Sequence, residues 1–323
     1  MKRSIIGFLL MLCIGCVGQH GSSLIEEHPY PMTVVDDMGR EVTILSIPLK
    51  IVSLAPSSTE ILFALGAGDK LIGNTGYCNY PEGAVSIEKV GGFSDVNIEK
   101  VVSLEPDIVF AASIHEESVE RLSEFGIPSV VLNPITIEDI LDNIDLVGKV
   151  ICEEKNAKAL IETLNHRIDA VKQRAQASHP KVYVEGWTSS SGYGSFGPGS
   201  LMDNLLSLAG GLNIAKDTGT PYPTLTGEAI ISENPQIIFM VSGMGAVGIE
   251  DLVNRPGWDT IDAVKHRRIH VIDGDLVLRP GPRIVEGLEI LAGHLQGNPQ
   301  TTFLLSILQD LFLMKVAGNL SII

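Results

Sequence analysis

Between residues 136 and 178, apolar side chains recur at helical spacing. They are Ile137, Ile140, Leu141, Ile144, Val147 and Ile151, then Ala157, Leu160, Ile161, Leu164, Ile168 and Val171. Thr136 with Asp139 three positions on forms a capping pair that satisfies amide donors left free in a first helical turn. Gly148 and the step Cys152-Glu153-Glu154 mark a break, after which a second helix is expected over 153–178. At ~1.5 Å per residue that helix would be a rod of about 39 Å, long for a globular core.

On both sides of this stretch the pattern changes to strand, loop and helix in alternation. Positions 32–44 alternate apolar and polar residues around Asp36-Asp37-Met38-Gly39, a hairpin signal. A short buried strand follows at 50–54, then a polar turn at 55–60 leading into a helix over 61–65 that stops at Gly66. Hydroxyl caps and free amides at such a turn face any ligand at the carboxyl end of the strand, which makes Ser57 a candidate contact. Further strands are expected at 71–73, 106–110 and 129–132, with loops at 77–81 and 91–93 and a helix around 99–104. Downstream, strands are expected at 181–185, 237–241 and 269–272. A Gly/Ser-rich loop covers 186–199, a helix at 201–208 is closed by Gly210-Gly211, and a last helix spans 282–295.

An internal repeat supports a division into two lobes. Residues 97–110 (NIEKVVSLEPDIVF) align without gaps to 226–239 (TGEAIISENPQIIF), with five of fourteen positions identical. The shared proline and apolar run belong to any helix-to-strand turn. The matched Glu99 and Glu228 do not, because they precede the buried face. The expected layout is a signal over 1–15, a tether over 16–31 and an N-terminal lobe over 32–136. A bridging helical segment over 137–178, a C-terminal lobe over 179–298 and an atypical apolar tail over 299–323 complete it.

Composition changes this picture little but excludes one class of partner. The chain is 45% hydrophobic and 19% charged, with a formal charge of −16, so it lacks the basic surface that nucleic acid requires. The basic cluster Lys265-His266-Arg267-Arg268 is assigned to a solvated loop. Residues 1–18 carry Lys2 and Arg3, an apolar run and Gly15-Cys16, an export signal. Cys13-Ile14-Gly15-Cys16 resembles a lipobox, which would make Cys16 the lipidated first residue of the mature chain. The apolar run is short of the ~20 residues needed to span a bilayer. Four cysteines provide no disulfide framework, and Cys78 and Cys152 are left either paired or separate.

Aromatics make up only 5% of the chain, yet Tyr77, Tyr80, Phe93, Trp187, Tyr193, Phe196 and Tyr222 all fall in expected loops. Split between two lobes, they suggest the walls of a cleft for a large, partly flat, amphipathic ligand. Arg279 and Arg283 flank Pro280-Gly281-Pro282 ahead of a helix. They would present guanidinium groups to a ligand or pair with Asp273 or Asp275. Glu60, near a helix start, is assigned a capping role. The eight histidines are scattered; His266 and His270 alone stand at the i, i+4 spacing of a helical zinc motif, and that pair ends in an expected strand, so no metal site and no resident cofactor are expected. Phosphate-cradling, dinucleotide and nucleophile-elbow motifs are missing from the sequence, and nothing in it argues for catalysis.

With these residues in view, the chain resembles the periplasmic-binding-protein lipoproteins of the cobalamin and iron-siderophore class, over about residues 33–295. The resemblance rests on Asp36-Asp37-Met38-Gly39-Arg40-Glu41-Val42-Thr43, on 51–66 (IVSLAPSSTEILFALG), on 97–110, on the Glu228 segment and on 279–289 (RPGPRIVEGLE). It implies an α/β fold: two Rossmann-like βα lobes joined by a single long helix, with a ligand cleft between the lobes. It implies the solute-binding component of an ABC importer, not an enzyme, acting as a monomer outside the membrane. Its partners would be a permease with its ATPase, a small-molecule metal chelate, and the membrane through a lipid anchor. By motif position Glu99 and Glu228 would dock on arginines of the permease. Tyr77, Phe93, Trp187, Tyr222, Asp275 and Arg279 fall at ligand-facing positions of the cobalamin binders. Phe93 and Tyr222 stand where tryptophans occur there, and aromatic character is retained. Anionic ferric chelates call for more cations than Arg279 and Arg283, which favours a corrinoid over a siderophore, haem or an oxyanion. A cofactor-modifying enzyme using the same cleft is the alternative from another class.

Overall fold

The structure, a computed structural model, describes residues 30–175, 179–245 and 248–296. The expected signal, Cys16, all but the end of the tether and the 299–323 tail lie outside the described residues.

The chain opens with an antiparallel hairpin, β1 (Met32–Val35) and β2 (Glu41–Ile44), whose Asp36-Asp37-Met38-Gly39 turn is held by the Asp36 carboxylate accepting from the Met38 and Arg40 amides. The first βα layer follows: β3 (Ile51–Ser53), α1 (Pro56–Ala64), β4 (Leu71–Asn74), α2 (Glu82–Val85) and α3 (Ile98–Ser103). It ends with β5 (Ile108–Ala112), α4 (Glu116–Glu124) and β6 (Ser129–Leu132). Next come α5 (Ile137–Val150) and α6 (Glu154–Arg174). The second layer contains β7 (Lys181–Glu185), β8 (Trp187–Ser189), β9 (Gly192–Gly194), α7 (Leu201–Ala209), β10 (Leu212–Asn213), β11 (Thr224–Leu225) and α8 (Gly227–Glu233). It closes with β12 (Ile237–Val241), α9 (Ile249–Val253), α10 (Asp262–Lys265), β13 (Ile269–Ile272), α11 (Gly274–Val277) and α12 (Ile284–Leu295).

Each lobe is built on a four-stranded parallel sheet. The orders β4-β3-β5-β6 and β10-β7-β12-β13 have the same topology. The internal repeat is structural down to the backbone. Asn97 and Thr226 cap α3 and α8 by accepting from the Lys100 and Ala229 amides. The matched residues Glu105 and Asn234 then turn the chain through left-handed conformations, φ 50° and 48°, and β5 and β12 begin at matched isoleucines.

Two expectations are corrected here. The 186–199 segment is not an open loop: β8 and β9 pair antiparallel within it and β11 joins them. Helix α1 begins at Pro56, not near Ile61, and its N-cap, Ala55, provides no side-chain bond. Proline at the first helical position has φ already set and no N–H to satisfy, so Ser57, Ser58 and Thr59 enter the first turn instead of preceding it.

The middle segment folds as a helical hairpin. Thr136 and Asp139 form the expected reciprocal cap on α5. Cys152, at φ 62°, reverses the chain, and no disulfide joins it to the buried Cys78. Gly148 permits the close start of the return: a Cβ there would lie 2.5 Å from the Ala157 Cβ. The 21 residues of α6 span about 31 Å, shorter than expected because the helix ends at Arg174. At its start the Asn156 amide donates to the Leu65 carbonyl of the first lobe at 3.1 Å. Farther along, Arg167 donates to both carboxylate oxygens of Glu289 on α12, at 3.0 and 2.7 Å. Buried residues from β3 and α1, through Ile140, Ile144, Val147, Leu164 and Ile168, to β7 and α12 form one continuous apolar core. The outer faces of the two sheets have smaller cores of their own.

A core that crosses from lobe to lobe resists hinge bending, because opening would expose packed apolar surface. Crystal structures with and without ligand should superpose with only a small relative rotation of the lobes. A swing of tens of degrees about residues 148–153 would contradict this.

Candidate functional site: the cleft between the lobes

The carboxyl ends of both sheets open onto one cavity of about 540 Å³, within the usual range for small-molecule sites. From the first lobe it is lined by Ala55, Pro56 and Ser57 at the start of α1, by Tyr77 and Phe93 from loops, and by Asn133 after β6. The Ser57 and Ser58 amides, ahead of the first intrahelical bond from the Thr59 amide to the Ala55 carbonyl, have no intrahelical acceptors and carry the positive end of the helix dipole. Next in the chain, the Ser58 hydroxyl is buried and finds no protein partner, which is uncommon inside a protein. From the second lobe the lining comes from Ser242, Gly243 and Met244 after β12, and from Asp275 and Arg279. Asp273 caps α11 by accepting from the Asp275 amide at 2.9 Å, which fixes the direction of this wall.

The charges at the cleft are tied to one another. Arg279 pairs with Asp275 at 2.7 Å and donates to the Asn79 side-chain oxygen at 2.6 Å. Asn79, from the first lobe, donates in return to Asp275 at 3.3 Å. Beside this group, Arg283 at the start of α12 makes two bonds to Glu60 of α1, at 3.0 and 2.6 Å, and Arg279 lies 3.8 Å from the same carboxylate. The Arg283 guanidinium also sits 3.9 Å from the Tyr80 ring centre, a cation–π contact. Burial pushes the Glu60 carboxyl above its ordinary value, with Arg283 pulling the other way. Burial likewise opposes the charge on Arg283, but its bonds to Glu60 outweigh that and hold its proton more tightly.

This geometry corrects several expectations. Glu60 does not cap a helix; it joins the lobes through Arg283, 223 positions away. Arg283 pairs with neither Asp273 nor Asp275, because the turn at 279–283 lies against α1, with Gly281 packed on Ser57 and Glu60. Of the seven loop aromatics, Tyr77 and Phe93 line the cavity, and the other five do not. Trp187 stands edge-on to Phe196, ring centres 6.0 Å apart, and Tyr222 also meets Phe196 edge to face, ring centres 6.2 Å apart. Trp187 on β8, Phe196 just after β9 and Tyr222 just before β11 thus pack on one another, and none of them lines the cavity. Tyr193 is stacked under Arg255, which is itself bonded to the buried Glu185. Among the described residues no group of three potential metal-binding side chains occurs.

A family model described as periplasmic binding protein matches residues 51–276. The chain belongs to the periplasmic binding protein family. Its members are solute-binding transport proteins, not enzymes, and the chain is accordingly a binding component of an ABC transporter. It is 35% identical over 272 residues to an ABC transporter substrate-binding lipoprotein of Bacillus subtilis (strain 168), covering 81% of this chain and 85% of that one. Among solved structures it is similar to a possible iron-binding, periplasmic solute-binding protein of Staphylococcus epidermidis, with a TM-score of 0.69 and 28% identity, covering 77% of this chain and 99% of that one. It is also similar to the periplasmic vitamin B12 binding protein of Vibrio cholerae, with a TM-score of 0.67 and 26% identity, covering 77% of this chain and 97% of that one.

Glu99 and Glu228 lie in the first turns of α3 and α8 and are both exposed. They occupy equivalent places on the two lobes of this family fold. The cleft network, by contrast, was hidden in the sequence. Asn79 carries no local signal, and Glu60 meets Arg283 only because the RPGPR turn packs on α1.

Removing one partner of a buried ion pair leaves the other charge uncompensated, at about 3–5 kcal/mol. Glu60→Ala should lower stability by an amount of that order in urea unfolding. Glu60→Leu combined with Arg283→Met should cost less than the single change.

Proposed function

We propose that the protein captures a metal chelate outside the cell membrane, with a cobalt corrinoid as the best-supported class, and delivers it to an ABC permease. The observation carrying this reading is the internal neutrality of the cleft. Asp275 and Arg279, the charged side chains lining the cavity, are paired with each other at 2.7 Å. A haem with two carboxylates, or a polyanionic ferric chelate, would have to break that pair to find a cation. A ligand fringed by neutral amides needs only hydrogen-bonding partners such as Ser57, Asn133 and Ser242, with Tyr77 and Phe93 against its flat faces. The similarity to a vitamin B12 binding protein supports the same class. A ferric chelate is the second reading, favoured by the likeness to a possible iron-binding protein.

Ser57, Tyr77, Phe93, Asp275 and Arg279 are the proposed contacts. Trp187 and Tyr222 would touch only a ligand that extends beyond the cavity. Tyr77, 61% exposed at its mouth, is placed to meet such a ligand first. Glu99 and Glu228 are the proposed docking carboxylates, one on each lobe, for arginines of the permease. Lipidation at Cys16 would hold the chain on the outer face of the membrane, a reading supported by the name of the Bacillus subtilis relative as a lipoprotein, and the chain is proposed to act there as a monomer.

Calorimetric titration of the purified protein with cyanocobalamin and a panel of ferric siderophores should give heat with the corrinoid. Heat with zinc or molybdate alone would overturn the chelate reading. Glu99→Lys with Glu228→Lys should weaken transport in cells while leaving soluble ligand affinity unchanged, since such charges mainly set orientation and encounter. Lost affinity in the soluble double variant would contradict a docking role.

A further inference from the structure

Behind the cavity wall stands a histidine that the sequence pattern did not single out. His115, at the start of α4, is 2% exposed. Its Nδ1 lies 2.9 Å from the Ala112 amide nitrogen, which is a donor, so Nδ1 must carry the lone pair. The ring proton therefore sits on Nε2, which donates to the Phe93 carbonyl at 2.5 Å. The two rings also meet edge to face, with centres 5.2 Å apart and an interplanar angle of 83°. Burial pushes the imidazole below its ordinary value, which keeps it in the neutral form that can make both bonds.

The two backbone groups that this ring joins are not neighbours in the chain. Ala112 ends β5, whereas Phe93 follows Gly91-Gly92 in a loop, and both line the cavity. Gly91 has φ 124°, a region open essentially to glycine, so the loop has little intrinsic preference for its observed path. Its outer part closes on itself through the Gly92 amide and the Asp95 carbonyl, 3.3 Å apart, and Phe93 lies between them. The His115 bond fixes the Phe93 carbonyl itself.

We infer that His115 is a positioning residue for ligand binding: its imidazole ties the Phe93 loop to the end of β5 and preforms that wall of the cavity. This rests on the proposal that the cavity holds the ligand. An aromatic wall already in place spares the ligand the ordering cost of assembling it.

Two substitutions separate the two bonds. His115→Gln places an amide N–H near the Nε2 position and keeps the donor to Phe93. His115→Asn places an oxygen near the Nδ1 position and keeps the acceptor for Ala112, but loses the donor. In the unliganded full chain, amide hydrogen exchange over residues 91–97 should rise in the Asn variant and stay near wild type in the Gln variant. Affinity for cyanocobalamin, used as the probe, should fall about ten-fold in the Asn variant, the worth of one hydrogen bond. It should recover to within a few-fold of wild type in the Gln variant, at similar thermal midpoints. Wild-type exchange over 91–97 in the Asn variant, or equal affinity in the two variants, would overturn the inference. Wild-type protein that gives no heat with cyanocobalamin would count against the ligand class, while the exchange pattern would still decide whether His115 holds the loop.

Discussion

The apolar faces of α5 and α6 are buried from two sides at once, and the relation of the two lobes follows from that. Each lobe has its own sheet, yet the residues packed beneath those sheets form one core through Ile140, Ile144, Leu164 and Ile168. The helical hairpin is thus less a hinge than a shared backing layer, its apolar face in the common core and its outer face in solvent. Its tight reversal depends on Gly148, where no Cβ fits against Ala157, and on the left-handed Cys152. With the hairpin packed, the carboxyl ends of the two parallel sheets face each other across a fixed gap, the place where open α/β sheets bind ligands.

Beside that gap, electrostatics complements packing. Glu60 and Arg283 face each other from opposite lobes and are almost withdrawn from solvent. A buried pair of this kind adds little net stability against well-packed apolar residues. Its effect is geometric: two directed bonds between α1 and α12 leave few orientations for one lobe relative to the other. Arg279, Asp275 and Asn79 extend the contact up to the cavity. The charges nearest the ligand space are therefore already committed within the protein. On the proposed reading, such a site would select a guest by shape and neutral hydrogen bonding more than by charge.

The duplicated unit sets the outer surface. Helices α3 and α8 begin with equivalent caps, end in equivalent left-handed residues and lead into equivalent strands, so Glu99 and Glu228 occupy matched surface positions. The aromatic residues do not obey this symmetry. Two serve the cavity wall from the first lobe, while those of the second lobe are drawn into the β8–β9–β11 sheet and the stack on Arg255.

What the sequence determined by itself is whatever depends on near neighbours in the chain. Periodicity located α5 and α6, the Thr136–Asp139 pair located a helix start, Gly210 located a helix end, and the 97–110 repeat located two equivalent units. These are local hydrogen-bonding and burial patterns, and they survive in any fold containing those helices and strands. The polar turn before the first helix pointed to Ser57; family motifs added the cleft and named Tyr77, Phe93, Asp275 and Arg279, which the fold brings to the same cavity, and Trp187 and Tyr222, which it does not. Only the tertiary structure decided the rest. Glu60 meets Arg283 across 223 positions, Asn79 bridges Asp275 and Arg279, His115 holds Phe93, and Trp187 and Tyr222 turn to Phe196 instead of the cavity. Such contacts join segments that are brought together by the packing of both lobes on one core. No spacing along the chain encodes which carboxylate a distant arginine will face, or which way an aromatic ring on a hairpin will turn.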